Sequence, residues 1–143
     1  MNANPTPRHG KTASVWLAFY LAALTAIAIW PVPVDSGAGP LLRFVQRHVP
    51  WATYSRVEVG ANVLLFVPLG LLLMLILRQS RYLVLPLCIL ATVTIESVQA
   101  LVLDQRVASL MDIVANTAGA CLGMLLIALG EGIRTRRTRN ASS

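Results

Sequence analysis

The fold is decided by an apolar stretch in the middle of the chain, EVGANVLLFVPLGLLLMLIL at residues 58–77. A helix rises about 1.5 Å per residue, so a helix of this length crosses a hydrocarbon core of roughly 30 Å. Pro68 interrupts the stretch, but a transmembrane helix tolerates proline where neighbouring helices satisfy the freed carbonyl group. We therefore predict a membrane-spanning helix here.

Three further apolar runs flank this stretch, at residues 13–30, 82–103 and 109–130. The turns that separate the last three runs, 78–81 and 104–108, are short, which predicts antiparallel neighbouring helices. The first run follows a basic start, as in a signal peptide, but it ends in Trp-Pro-Val-Pro without a clear cleavage site, so we expect an uncleaved helix. The predicted fold is an all-α membrane protein with four transmembrane helices.

The composition also favours lipid as the surrounding solvent. Of the 143 residues, 56% are hydrophobic and 13% are charged, whereas soluble domains typically carry about 25% charged residues. The net charge of +6 would suit a nucleic-acid partner, but eight of the twelve Lys and Arg residues cluster at the ends of the apolar runs, so we expect no such partner. Cys88 and Cys121 lie inside apolar runs without ligand-like spacing. We expect both to be core residues, and neither a metal site nor a cofactor.

The basic residues predict the orientation and the domain organisation. Eight Lys and Arg flank one side of the predicted bundle and four flank the other, so the positive-inside rule places both termini in the cytoplasm. We predict a disordered cytoplasmic tail at 1–12, one domain at 13–130 in the inner (plasma) membrane, and a basic cytoplasmic tail at 131–143. Residues 41–49 mix apolar and polar side chains, which favours a short interfacial helix in the first extracytoplasmic loop.

Polar side chains within or beside the predicted helices are the candidate functional residues, because ionisable groups are costly in a bilayer. They are Asn62, Glu96, Gln99, Arg106, Asp112 and Asn116. In the predicted orientation all six fall toward the extracytoplasmic leaflet. We predict that they line a polar pocket that binds a lipid headgroup or another polar ligand.

Helical spacing groups these polar residues into two stripes. One consists of Thr92, Glu96, Gln99 and Leu103, and the other of Asp112, Asn116, Gly119 and Gly123. The stripes can face each other across the short turn, which would bring Arg106 within reach of Glu96 or Asp112.

Three interpretations of the polar residues stay open. Besides a binding pocket, they can form a structural clamp, since Ser109 and Asp112 match a helix N-cap box. Glu96 and Asp112 are also weak candidates for acid–base catalysis in a small membrane enzyme, although the sequence favours a protein that is not an enzyme.

Small residues and one proline are the candidates for helix packing, at Pro68, Gly70, Gly119 and Gly123. The spacing of Gly119 and Gly123 is typical of a seam that lets two helices approach closely. Such a seam also favours a membrane scaffold that assembles with a second copy or with another membrane protein.

Three segments resemble a known family: Asn62-Val-Leu-Leu-Phe-Val-Pro-Leu-Gly70, Ile95-Glu-Ser-Val-Gln99, and Arg106 followed by Asp112 and Asn116-Thr-Ala-Gly119. In this order they are similar to the VanZ-like family over residues 58–127. The resemblance implies a multi-pass membrane protein of the cell envelope, and the member that names the family is associated with resistance to teicoplanin, a lipoglycopeptide.

The resemblance also implies a role for the same six polar residues, with an envelope lipid, a cell-wall precursor or a lipoglycopeptide as the ligand. The chain departs from the family pattern at Ser109 and Met111, where relatives often carry acidic residues. This departure thins the negative charge near the predicted pocket.

Overall fold

The computed structural model describes residues 8–28, 47–48, 53–102 and 109–140. Within them lie four helices: α1 at Arg8–Ala28, α2 at Tyr54–Ile76, α3 at Val84–Val102 and α4 at Leu110–Asn140. A single 3-10 turn, Arg81–Leu83, leads into α3. These described residues contain no strand, so the all-helical prediction is confirmed.

Three of the helical segments are long and apolar enough to cross a membrane, namely Ser55–Ile76, Arg81–Val102 and Leu110–Asn140. The apolar part of α1, Thr12–Ile27, is shorter. Only 22–28% of each long apolar segment is buried inside the bundle, which leaves large side chains such as Leu64 and Leu101 exposed. Such continuous apolar surface suits lipid as the solvent, because soluble monomers rarely expose it.

The structure differs from the prediction at both ends of the chain. Helix α1 begins at Arg8, within the predicted disordered tail, and α4 continues to Asn140 through most of the predicted basic tail. A helix that has already formed extends without a new nucleation cost, and arginine is a good helix former. The predicted interfacial helix at 41–49 lies almost entirely outside the described residues.

The connection between α2 and α3 is short. The amide of Ser80 donates to the Leu77 carbonyl at 2.9 Å, and the amide of Leu83 donates to the Ser80 carbonyl at 2.9 Å. Pro86 follows in the first turn of α3, where the absence of an amide proton removes no helical hydrogen bond. The turn thus returns the chain directly to the bundle.

The core lies between the four helices, with α1 packed mainly against α2. It is formed by Leu24, Phe66, Leu69, Met74, Val84, Cys88 and Ala120. The Tyr20 hydroxyl of α1 donates a hydrogen bond to the Leu65 carbonyl of α2. Cys88 is buried as predicted, but Cys121 is exposed on the outer face of α4, so its assignment to the core was wrong.

Helices α2 and α4 touch through their backbones. A Cβ atom added to Gly119 would lie 2.9 Å from the carbonyl carbon of Val63, and one added to Gly123 would lie 2.8 Å from the amide nitrogen of Leu71. A Cβ added to Gly70 of α2 would lie 2.9 Å from the Cα of Ala120. Real Cβ atoms do not approach other atoms so closely, so each contact requires glycine.

The glycine contact also corrects the predicted stripe. Gly119 meets Val63 and Gly123 meets Val67, so the two helices run parallel and the glycines of α4 face α2. They lie within about 60° of Asn116 around the helix axis, but their close contact is with the α2 backbone and not with α3. Because both glycines are buried against α2, they are not available as a seam for a second chain.

We predict that Gly119→Ala destabilises the protein. The added methyl group meets the Val63 backbone, and overpacking costs roughly 1–3 kcal/mol, which outweighs the gain of up to about 1 kcal/mol from replacing a helical glycine by alanine. Thermal unfolding of the purified protein in detergent measures the effect. Gly130→Ala is the matched control, since nothing lies within 4 Å of its added Cβ, and it should keep or raise the stability. Equal stability of the two variants would contradict the close contact.

Candidate functional site

Helix α3 carries three buried polar side chains, Thr92, Glu96 and Gln99, which are 0%, 5% and 9% exposed. Their spacing places them on one face of the helix. Asn116 of α4 is the fourth buried polar side chain of the described residues, at 4% exposed. We call these four residues the polar cluster.

A hydrogen bond joins the two helices of the polar cluster at its deeper end. The side-chain amide Nδ2 of Asn116 donates to Oγ1 of Thr92 at 2.8 Å, and both groups are buried. The stripe that contains Asn116 therefore faces α3 at this height, as predicted, while the glycines one and two turns later face α2. Thr92 was predicted on the stripe of α3 but was not among the predicted binding residues.

The side chain of Glu96, on α3, reaches the start of α4. Its carboxylate Oε2 accepts a hydrogen bond from the backbone amide of Ser109 at 2.9 Å. The Ser109 hydroxyl in turn accepts a hydrogen bond from the amide of Asp112 at 3.2 Å. The free amides at a helix start carry partial positive charge, so the carboxylate is placed where a negative charge is stabilised.

The N-cap box predicted for Ser109 and Asp112 is therefore half correct. In a capping box, the acidic side chain three residues after the cap returns to the amide of the cap residue. Here Glu96, from the neighbouring helix, takes that amide. The start of α4 is thus fixed by α3.

The remaining predicted site residues fall into three groups. Asp112 is half-buried in the first turn of α4, one turn before Asn116. Asn62 is half-buried on α2, and the contact between Val63 and Gly119 brings it to a similar depth. Arg106 lies outside the described residues, so its pairing with Glu96 or Asp112 stays a prediction.

The chemistry of the polar cluster is that of hydrogen bonding and charge. Two carboxylates, Glu96 and Asp112, stand near the first turn of α4, and ionised carboxylates only accept hydrogen bonds. In the part of the chain that the structure describes, no three His, Cys, Asp or Glu side chains are grouped so that they could hold a metal ion. The arrangement suits a ligand that donates hydrogen bonds or carries positive charge.

An ion pair that we did not predict from the sequence joins the turn before α3 to α4 at the opposite end of the bundle. Nη1 and Nη2 of Arg81 donate to the two carboxylate oxygens of Glu131 at 2.7 and 2.6 Å. Glu131 lies just past the apolar part of α4. The signal that could have revealed the pair is that Glu131 is the sole acidic residue after Asp112.

Comparison with known proteins identifies a family. The model of the VanZ/LLP1 family matches residues 17–131, which extends from α1 to the last apolar turn of α4 and is wider than the resemblance over residues 58–127. The match therefore includes every residue of the polar cluster. No curated protein and no solved structure matches the chain.

We predict that the hydrogen bond between Thr92 and Asn116 contributes modestly to stability. A double-mutant cycle with Thr92→Val and Asn116→Leu should give a coupling free energy of roughly 0.5–1.5 kcal/mol, since such bonds between membrane helices average about 0.6 kcal/mol. The midpoint of thermal unfolding in detergent is the measurement. The exposed Thr94, whose hydroxyl bonds its own helix at the Leu90 carbonyl, supplies the control, because Thr94→Val should show no coupling to Asn116→Leu. Strictly additive effects of Thr92→Val and Asn116→Leu would contradict the bond.

Proposed function

The chain belongs to the VanZ/LLP1 family, and from this premise we propose that it is a multi-pass protein of the plasma membrane that acts in the cell envelope. Its ligand binds at the polar cluster between α3 and α4, together with Asn62, Arg106 and Asp112. The ligand is an envelope lipid headgroup, a cell-wall precursor or a lipoglycopeptide. Family membership favours resistance to glycopeptides of the teicoplanin type as the phenotype.

The burial of Glu96 is the observation that carries this proposal. An ionisable side chain in a membrane helix costs about 2.5–3.5 kcal/mol on insertion scales. Joining α3 to α4 does not require such a cost, because the neutral pair of Thr92 and Asn116 does so one turn away. A carboxylate at this position therefore favours a functional role over a purely structural one.

The second candidate function is a structural clamp within a membrane scaffold. It is favoured by the hydrogen bonds that the cluster makes within the chain, from Asn116 to Thr92 and from Ser109 to Glu96. A scaffold would meet its partners, a second copy or another membrane protein, through a face other than Gly119 and Gly123. Catalysis by Glu96 and Asp112 is the third alternative.

Orientation is part of the proposal, with four membrane crossings and both termini in the cytoplasm. In a background of Cys88→Ala and Cys121→Ala, a membrane-impermeant maleimide added to intact cells should label Ser36→Cys and leave Ser142→Cys unlabelled. The reason is that eight Lys and Arg flank the side of the termini and four flank the other. Permeabilised cells are the control, in which both cysteines should react. Labelling of Ser142→Cys alone in intact cells would reverse the topology.

We predict that the wild-type protein protects a teicoplanin-sensitive Gram-positive host and that Glu96→Gln and Asp112→Asn lose this protection. The inhibitory concentration of teicoplanin should rise several-fold with wild type and return to the baseline with either variant, at membrane levels matched by immunoblot. Glutamine keeps an oxygen that can accept the Ser109 amide proton, so Glu96→Gln removes the charge and spares the clamp.

Controls in the same assay separate the candidate functions. Gly130→Ala, which touches nothing, should protect as wild type does. If Glu96→Gln protects fully while Glu96→Leu fails to accumulate in the membrane, the clamp is the function of Glu96. Absence of protection by wild type would remove resistance as the phenotype of this chain.

A further inference from the structure

The two ends of the bundle differ strongly in charge. The turn after α2 and the last turns of α4 together carry six arginines and one acid. The arginines are Arg78, Arg81, Arg134, Arg136, Arg137 and Arg139, and the acid is Glu131. Arg81 takes both carboxylate oxygens of Glu131, and positive charge is in large excess over negative charge in these segments.

The length of α4 determines where the last arginines lie. From Leu110 to Glu131 the helix rises about 32 Å, close to the thickness of a hydrocarbon core of roughly 30 Å. From Glu131 to Arg139 it rises about 12 Å more. If Leu110 stands at one boundary of the hydrocarbon, the arginines stand in the headgroup layer at the other.

The last turns of α4 carry their charge on all sides. With about 100° between successive residues, the positions of Arg134, Arg136, Arg137 and Arg139 are spread around the helix axis, and all four are exposed. A helix that lies flat on a membrane instead has one polar face and one apolar face. This distribution suits a helix that leaves the membrane along its axis and is surrounded by headgroups.

The threonines between these arginines are bonded to the helix itself. The Thr135 hydroxyl donates to the Glu131 carbonyl at 2.9 Å, and the Thr138 hydroxyl donates to the Thr135 carbonyl at 2.9 Å. The hydroxyl protons of these threonines are therefore already used within the helix, whereas Arg134, Arg136 and Arg137 form no ion pair with any residue that the structure describes. A guanidinium group offers two parallel donors that match the oxygens of a phosphate.

We propose that the last turns of α4 bind anionic phospholipid headgroups through a collar of arginines, Arg134, Arg136, Arg137 and Arg139. An anionic leaflet attracts basic residues next to a membrane helix, and this end of the bundle has a large excess of positive charge. The collar is separate from the polar cluster, which lies at the other end of α4, and does not depend on the function proposed there.

The test compares lipids around the full-length protein in bilayers. Electron paramagnetic resonance of spin-labelled phosphatidylglycerol and spin-labelled phosphatidylcholine gives the relative affinity of the protein for the two lipids. We expect the wild type to prefer phosphatidylglycerol several-fold and the triple variant Arg134→Gln, Arg136→Gln, Arg137→Gln to show a ratio near one. The triple lysine variant at the same positions is the control that keeps the charge, and it should retain most of the preference.

High salt gives a second readout, since about 1 M salt shortens the screening length to roughly 3 Å and should reduce the preference of the wild type. The glutamine variant should unfold at the wild-type temperature in phosphatidylcholine, because all three side chains are exposed. A wild-type ratio near one, or a glutamine variant with the wild-type ratio, would overturn the proposal. A wild-type protein that binds a short RNA but shows no preference for phosphatidylglycerol would overturn it as well.

Discussion

The backbone contact between α2 and α4 is the constraint on which the rest of the structure depends. Gly70, Gly119 and Gly123 let the two helices touch without intervening side chains. In lipid, apolar side chains gain little by leaving their solvent, so close van der Waals packing replaces hydrophobic burial as the source of helix association. Once these faces of α2 and α4 are packed against each other, the rotation of α4 about its own axis is fixed.

That rotation decides which side chains of α4 meet α3. Asn116 precedes Gly119 by less than a full turn, so it lies at the edge of the α2 contact and reaches Thr92 of α3. The start of α4 is then drawn to Glu96 through the Ser109 amide. The polar cluster, with its buried carboxylate, is thus formed where three helices are already held together.

The sequence predicts well which residues form the helices, and less well which neighbouring helix each helix face contacts. Apolar length alone identified α2, α3 and α4, because every backbone group in lipid must be satisfied within a helix. The spacing of Thr92, Glu96 and Gln99 predicted a common face, since that inference concerns a single helix. Gly119 and Gly123 were assigned to the wrong neighbour, because a small-residue pattern shows that something approaches closely but not which helix does. The bond from Ser109 to Glu96 was missed for a related reason: local capping rules consider one segment, and here the partner comes from another.

Helix α4 connects these features because it is held at three heights. Its start is bonded to Glu96, its middle touches α2, and its exit from the bundle is held by the ion pair of Arg81 with Glu131. Gly130 and Gly132 flank Glu131, and nothing lies within 4 Å of a Cβ added to either. Each costs up to about 1 kcal/mol in a helix relative to alanine. The ion pair therefore sits where α4 would most easily fray, and it keeps the helix continuous into its basic turns. Because α4 is one continuous helix, the depth of its arginines in the headgroup layer also sets the depth of its start, where the Ser109 amide is bonded to Glu96.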